Sequence, residues 1–443
     1  MQDSSYDLER LDVVFDDDHV VPNAGLLLVA RLSEVLGIEA VTDRCVRLGK
    51  RVGASRRGRK LLTLMHSIVL GGDFIDDIRV LRAGSTSNVL GHQVMAESTC
   101  GTFLRSFTFG HVKQLDRVSG IVLKRAWGYG CGPGDDPVTI DLDSTVAETY
   151  GTKKQGTGFA YTKVVGYHPL VATRAATGEI LHIRQRTGSA GSGRGMNRFI
   201  SETMARIRRA GATGQVTVRA DSGFFSMGFI KRLITLGVPF SITVPKNKVV
   251  VRLTDNIDDD SWTPIVYPEG GTAEVSETKY KDHRLVVRRT RPTPTNKTHK
   301  NKSDKNQTQM WPDFEYHSFI TNREGTTVFL DADHRKHAVV ELAIRDWKEG
   351  AAGDHNPSGV FAANAAWTVI AALAHNMLRW TTALGMGTPG PVVAKTIRRR
   401  FLTVPGRATQ RSRRTIMYFP ANWPWADEFL TAIRRLQALP PPA

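Results

Sequence analysis

From residue 20 to residue 130 the apolar positions recur every three or four residues, a period that predicts helices. Leu26-Leu27-Leu28 through Ile38 forms one, stopping near Gly37. Leu61 to Leu70, closed by Gly71-Gly72, forms another, and Phe103, Leu104 and Phe107 mark a third. Cys131-Gly-Pro-Gly-Asp-Asp-Pro137 is turn chemistry and sets a domain boundary. Beyond it the period changes. Val138 to Val146, Phe159 to Val165 and Ile180 to Arg186 are rich in β-branched and aromatic residues and read as strands. Met196 to Ala210 is a helix with Phe199, Met204 and Ile207 on its apolar side. Val216 to Asp221 is a strand, Met227 to Leu236 a helix and Phe240 to Val244 another strand. Strands followed by alternating helices and strands predict an α/β fold, a mixed sheet with helices on its faces.

Residues 246 to 316 interrupt this order with strand-like pieces such as Arg284 to Arg288. They include a polar tract, Arg291 to Gln309, whose composition predicts a mobile loop. Tyr316 to Asn322 resumes a strand, Asp333 to Trp347 is a helix and Phe361 to Thr382 is a long apolar core helix. No internal repeat is present.

Charge sharpens the picture. Lys and Arg number 60 against 43 Asp and Glu, a net +17 with a pI of about 9.9, which points to a polyanionic partner. The excess is uneven. The first eighteen residues hold seven acids and one base. From Arg379 onward, eleven bases face only Asp427 and Glu428. Lys50, Arg51, Arg56, Arg57, Arg59 and Lys60 form a second basic cluster; small helical units with basic edges often contact DNA, and a helical bundle with a solvated basic loop fits the pattern equally well. The acidic start is no secretory signal. No apolar run reaches the ~20 residues of a membrane span. Phe361 to Ala374 is the best candidate and is interrupted by Asn364. Cys45, Cys100 and Cys131 are too far apart for a disulfide framework or a zinc site. The expectation is a soluble, cytoplasmic, nucleoid-associated protein without a membrane partner.

Three acidic motifs carry candidate chemistry. In Thr139-Ile-Asp141-Leu-Asp143-Ser-Thr145 both aspartates share one face of a strand. A carboxylate on an apolar strand is costly unless solvated, paired or metal-bound. In Ala220-Asp221-Ser222-Gly223 an acid ends another apolar strand. On the predicted helix, His334, His337, Glu341, Arg345 and Lys348 recur at spacings of three or four and share a face. Each motif alone reads better as a turn, a cap or a solvated face. Together, three carboxylates on two strands and a helix could hold two divalent metals for phosphodiester chemistry. Gly188 to Gly195 lacks the Lys-Ser/Thr of a P-loop and reads as a flexible connector. Asp258-Asp-Asp260 reads as a turn, and Trp423 and Trp425 as tail packing.

These motifs resemble those of DDE transposases of bacterial insertion sequences, whose catalytic core is RNase H-like, and the resemblance covers most of the chain. Asp-Ser-Thr after an apolar strand resembles the first-aspartate motif and selects Asp143 over Asp141. Ala-Asp-Ser-Gly-Phe resembles the second at Asp221. Glu341 and Lys348 fit the signature Y-x2-R-x3-E-x6-K, with His334 where Tyr is usual and His337 where Arg is usual. Gly-Gly-Asp-Phe-Ile-Asp-Asp-Ile at 71–78 and Ser98-Thr99 before Phe103-Leu104-Arg105 are similar to the family's amino-terminal domain.

The resemblance implies five segments. Residues 1–130 form a mainly helical DNA-binding domain and 131–245 the first part of an RNase H-like core. Residues 246–316 are a β-rich insertion with the mobile polar loop, 317–390 the second part of the core with the Glu helix, and 391–443 a basic tail. Asp143, Asp221 and Glu341 are the implied catalytic residues and the ligands of two Mg2+ ions, for which Mn2+ can substitute. Lys348, His337, His334 and Arg345 are expected to meet DNA near the cut, and Lys50, Arg51, Arg56, Arg57, Arg59 and Lys60 to hold its backbone. The implied partners are double-stranded DNA, both terminal inverted repeats and target, and a second copy on paired ends. The implied reaction is cut-and-paste transposition. Its rivals are an RNase H-like nuclease without strand transfer and an inactive DNA-binding descendant.

Overall fold

A computed structural model describes residues 11–151, 153–159, 163–266, 271–291 and 314–441. At its centre lie β1 (Val138–Ser144), β2 (Leu170–Arg174), β3 (Glu179–Arg184), β4 (Val216–Ala220) and β5 (Phe240–Thr243), side by side in the order β3-β2-β1-β4-β5. β2 runs antiparallel to β1 and β3, while β4 is parallel to β1 and β5 is parallel to β4. This is the mixed sheet that the sequence predicts. Strand alternation explains β1. Val138, Ile140 and Leu142 are buried on one face, and Thr139, Asp141 and Asp143 occupy the other.

Four more strands follow. β6 (Thr263–Ile265), β7 (Thr272–Tyr280), β8 (His283–Arg291) and β9 (Glu315–Thr321) pair antiparallel in sequence, and β9 pairs with β5. The strands of the insertion therefore lengthen the central sheet to nine. The polar tract within it falls almost wholly on residues outside the described ones.

Besides two single-turn helices, Thr86–Val89 and Ala394–Ile397, the helices among the described residues are α1 (Leu27–Val35), α2 (Ile38–Cys45), α3 (Arg57–Val69), α4 (Glu97–Arg105), α5 (Phe109–Ala126), α6 (Met196–Ala210), α7 (Met227–Thr235), α8 (Lys248–Asp255), α9 (Thr327–Arg335), α10 (Val339–Gly350), α11 (Phe361–Thr381) and α12 (Ala426–Ala438). α6 shows why the pattern is legible. Met196, Phe199, Ile200, Thr203, Ile207 and Ala210 are buried at helical spacing, and Gly211 ends the helix at φ 110°. α11 is buried from Ala363 to Thr381 and packs against α1, α3, α5 and β3. With the turn that follows it runs Phe361–Met386, long and apolar enough by length and composition to cross a membrane, which the sequence reading did not allow. Its most apolar stretch is 89% buried inside the protein, so it is the core helix between the sheet and the amino-terminal helices. One hydrophobic cluster runs from Leu26 through Ile140 and Val218 to Leu436. Val20–Val21 pairs with a carboxy-terminal hairpin strand, and α12 packs on α1, so early and late segments of the described chain meet.

Several elements differ from expectation. The second core strand is Leu170–Arg174. Of Phe159 to Val165, Gly158–Phe159 and Val165–Tyr167 belong to a small separate sheet, and the residues between lie partly outside the described ones. α8 was not predicted, because its Val-Val-Val run resembles a strand. The expected single helix from Asp333 to Trp347 is α9 and α10 joined by a tight 3-10 turn at Lys336–Ala338.

Candidate active site

β1 and β4 are parallel neighbours in register, with Asp141 opposite Arg219 and Leu142 opposite Ala220. One position further on, where the ladder ends, stand Asp143 and Asp221. The first turn of α10 brings Glu341 across from them. The three carboxylates line one cleft of about 440 Å3 together with Thr145, His337, Arg345, Lys348 and Asp354. Local hydrogen bonds set the two aspartates: Asp143 Oδ1 accepts from Ser144 N at 2.6 Å, and Asp221 Oδ1 accepts from Gly223 N at 3.1 Å.

The electrostatics are those of unneutralised acids. Burial pushes the Asp143 carboxyl up to about 6. The Ser144 N–H opposes the rise, the charges of Asp221 and Glu341 add to it, and His337 counters it. Burial also raises Asp221, opposed first by His337. Keeping both ionised is costly unless a cation joins them. The donors are all carboxylate oxygens, the hard ligands that Mg2+ takes. Among the described residues, no three such side chains are disposed to hold a metal ion as they stand. The donor chemistry fits magnesium, whereas the ligand set is not closed.

The predicted DNA contacts separate into two groups. Arg345 is exposed on the cleft wall, and His337 lines the cleft with Nδ1 3.0 Å from Asp141 Oδ1. Lys348 reaches the cleft while holding Val146 O at 3.0 Å and Asp354 Oδ1 at 3.0 Å. His334 does not reach it. The sheet covers its side of α9. Its ring lies 3% exposed, bonded to Ser241 Oγ at 2.8 Å and Thr243 Oγ1 at 2.9 Å and stacked on Phe319. An exposed phosphate contact at His334 is therefore corrected to a core position.

The amino-terminal basic cluster divides likewise. Lys50, Arg51 and Arg56 are exposed. Arg57 donates to Ala54 O and Asp43 O, and Arg59 to Glu39. Lys60 is 1% exposed, with Nζ on Gly53 O at 2.8 Å, and burial lowers its pKa. It is corrected from a DNA contact to an internal tie, because helix α3 turns it inward against Phe103.

Two features escaped the sequence reading. The Gly/Ser loop is not a loose connector at its tip. Arg186 binds the carbonyls of Gly191, Ser192 and Arg194, and Ser192 Oγ stands 3.0 Å from Ser144 Oγ, beside the cleft. Arg219 is the other. An arginine within an apolar strand, two residues before Asp221 as Asp141 is before Asp143, was the available signal.

His317, on β9 beside His334, is lowered to about 4 by burial, then by Arg288 and Lys246. His334, His66 and His375 are held well below the ordinary value, chiefly by burial. A His depressed in the folded state is protonated first in the unfolded chain. Stability is therefore present above pH ~6.5 and lost as pH falls towards 4. Asp143, raised to about 6, works in the opposite sense. From pH 7 to 5, urea denaturation is expected to show a net loss, with His317 alone contributing about 2 kcal/mol. His317→Gln should flatten that dependence, and an unchanged slope would refute it.

A family model described as Transposase DDE domain group 1 matches residues 4–441. The piggyBac transposase, solved by cryo-EM as a synaptic complex with hairpin DNA, superposes with a TM-score of 0.45 at 12% identity, over 86% of this chain and 79% of that one. No curated protein matches the sequence.

Proposed function

Starting from the premise that this chain belongs to the DDE transposase family, we propose that it is a DNA transposase that cuts at terminal inverted repeats and joins the freed ends to target DNA, with Asp143, Asp221 and Glu341 as its catalytic centre. The observation that carries this reading is the single cleft in which two strand ends and a helix bring those three carboxylates together against their own repulsion. Asp143, Asp221 and Glu341 would hold two Mg2+ ions, which when bound supply Lewis-acid stabilisation of charge on phosphate and on the attacking and departing oxygens. Arg345, exposed at the wall and without a carboxylate partner among the described ion pairs, binds a phosphate beside the cut. Lys348 adds a second positive charge and anchors the chain after β1 through Val146. Lys50, Arg51 and Arg56, the cluster's exposed members, hold the DNA backbone. The helices within residues 1–130 supply end recognition, and a second copy of the chain brings the paired ends together.

The experiment is nicking of a plasmid carrying the DNA that flanks the gene on both sides, with and without Mg2+, followed by strand transfer from pre-cleaved ends. Metal-dependent nicking and joining are expected. Nicking without joining would favour the nuclease, and the absence of both activities would refute the reading. End affinity should fall by on the order of 10³-fold or more between 50 and 200 mM salt, if six or more phosphates are neutralised. A salt-insensitive affinity would contradict the role given to the basic residues.

A further inference from the structure

β1 and β4 each carry a charged residue two positions before the cleft aspartate, and the strand register sets them side by side. Asp141 is 0% exposed and Arg219 is 2% exposed. Arg219 binds both carboxylate oxygens, Nε to Oδ1 at 2.8 Å and Nη2 to Oδ2 at 2.9 Å. Its remaining Nη1 donates to Asp333 O at 2.5 Å, on α9. One guanidinium thus joins the strand before Asp143, the strand before Asp221 and the helix that leads to Glu341. Asp333 is fixed independently by Arg323 at 2.6 Å.

Asp141 Oδ1 has a second partner, His337 Nδ1 at 3.0 Å. A buried carboxylate salt-bridged to arginine can only accept, so Nδ1 carries the hydrogen and the ring orientation is set. Nε2 is the atom left for chemistry, on a ring that lines the same cleft as Asp143, Asp221 and Glu341. Among the described residues, Nε2 has no hydrogen-bond partner.

We propose that Asp141 and Arg219 are positioning residues that lock His337 with Nδ1 inward, so that Nε2 meets the DNA phosphate held at the three carboxylates. This rests on the transposase reading. Asp141 acts through His337 and touches no reacting atom. The geometry parallels metal and catalytic sites in which a carboxylate behind a histidine sets its ring and tautomer.

Substitutions at 337 separate the two ring nitrogens. Asn keeps an N–H near the Nδ1 position for Asp141 and has nothing at Nε2, whereas Gln places an amide near Nε2. The test is kcat and KM for cleavage of end DNA, with urea midpoints, for His337→Asn, His337→Gln, Asp141→Asn and Asp141→Asn combined with His337→Asn. His337→Asn is expected to lower kcat at least tenfold, with KM within about threefold and the midpoint unchanged, and Gln to recover part of the loss. Asp141→Asn should cost about tenfold alone and less than about twofold on top of His337→Asn, because it acts through that ring. If Asp141→Asn does not fold, Arg219→Lys, which keeps the charge and loses the bidentate grip, takes its place in the cycle. Wild-type cleavage by His337→Asn, or equal losses from Asp141→Asn in both backgrounds, would overturn the proposal. A wild-type protein that cannot cleave, or an Asp143→Ala protein that can, would instead sink the transposase reading beneath it.

Discussion

Glu341→Ala is expected to abolish cleavage of inverted-repeat DNA, by on the order of 10³-fold or more, while end binding stays within about twofold. Glu341 sits exposed in the first turn of α10, without an ion pair among the described residues, so its removal leaves packing intact. Asp143 makes the same point more sharply. Burial and its neighbours hold its carboxyl at about 6 against an ordinary 3.8, so ionisation at pH 7 opposes folding. Asp143→Asn should therefore be inactive yet more stable, by an amount on the order of 1–3 kcal/mol. A residue kept for structure would show the reverse. Cleavage rates, filter-binding affinities and urea midpoints on the same preparations separate these outcomes. An active Glu341→Ala protein, or a destabilised Asp143→Asn protein, would show that these carboxylates have another purpose.

Arg219→Ala is expected to lower stability by about 3–5 kcal/mol, the penalty for leaving a buried charge unpaired. Asp141 is fully enclosed and would keep only His337 as a partner. The loss would spread, because Arg219 also holds α9 through Asp333. Replacing both members by apolar residues, Asp141→Leu with Arg219→Met, should recover part of it, since the unpaired charge is gone. Urea midpoints of the single and double variants check this. An Arg219→Ala protein as stable as wild type would contradict the burial of the pair. Asp141 and Asp143, two residues apart on one strand face, thus have opposite signatures: one supports the fold, and the other strains it.

That distinction marks how far the sequence could be read. β1, β4, β5 and α6 were legible, because period-two and period-3.6 patterns follow directly from which face is buried. The three carboxylates were legible as candidates, since each lies at or near the end of an apolar element. The choice between Asp141 and Asp143 needed the resemblance. What separates the two physically, Arg219 paired with Asp141 from the neighbouring strand, depends on register that sequence spacing does not encode. His334 was misplaced for a related reason. Helical spacing puts it on the face of His337, whereas the 3-10 turn at Lys336–Ala338 and the covering strands β5 and β9 enclose it. Lys60 and Arg57 read as free charges because their partners, Gly53 O and the loop around Asp43, are set by tertiary folding. β2 was missed because five residues after Pro169 give too short a run, and α8 because local β-branching yielded to tertiary context.

In the proposed mechanism Asp143, Asp221 and Glu341 form one divalent-metal site that cuts DNA. The most direct measurement is Mn2+ titration of the full-length protein, followed by electron paramagnetic resonance, for wild type and for Asp143→Ala, Asp221→Ala and Glu341→Ala. Saturable binding by wild type, lost or weakened at least tenfold in each variant, is the predicted result. Mn2+ binding that is equal in all four proteins would contradict it.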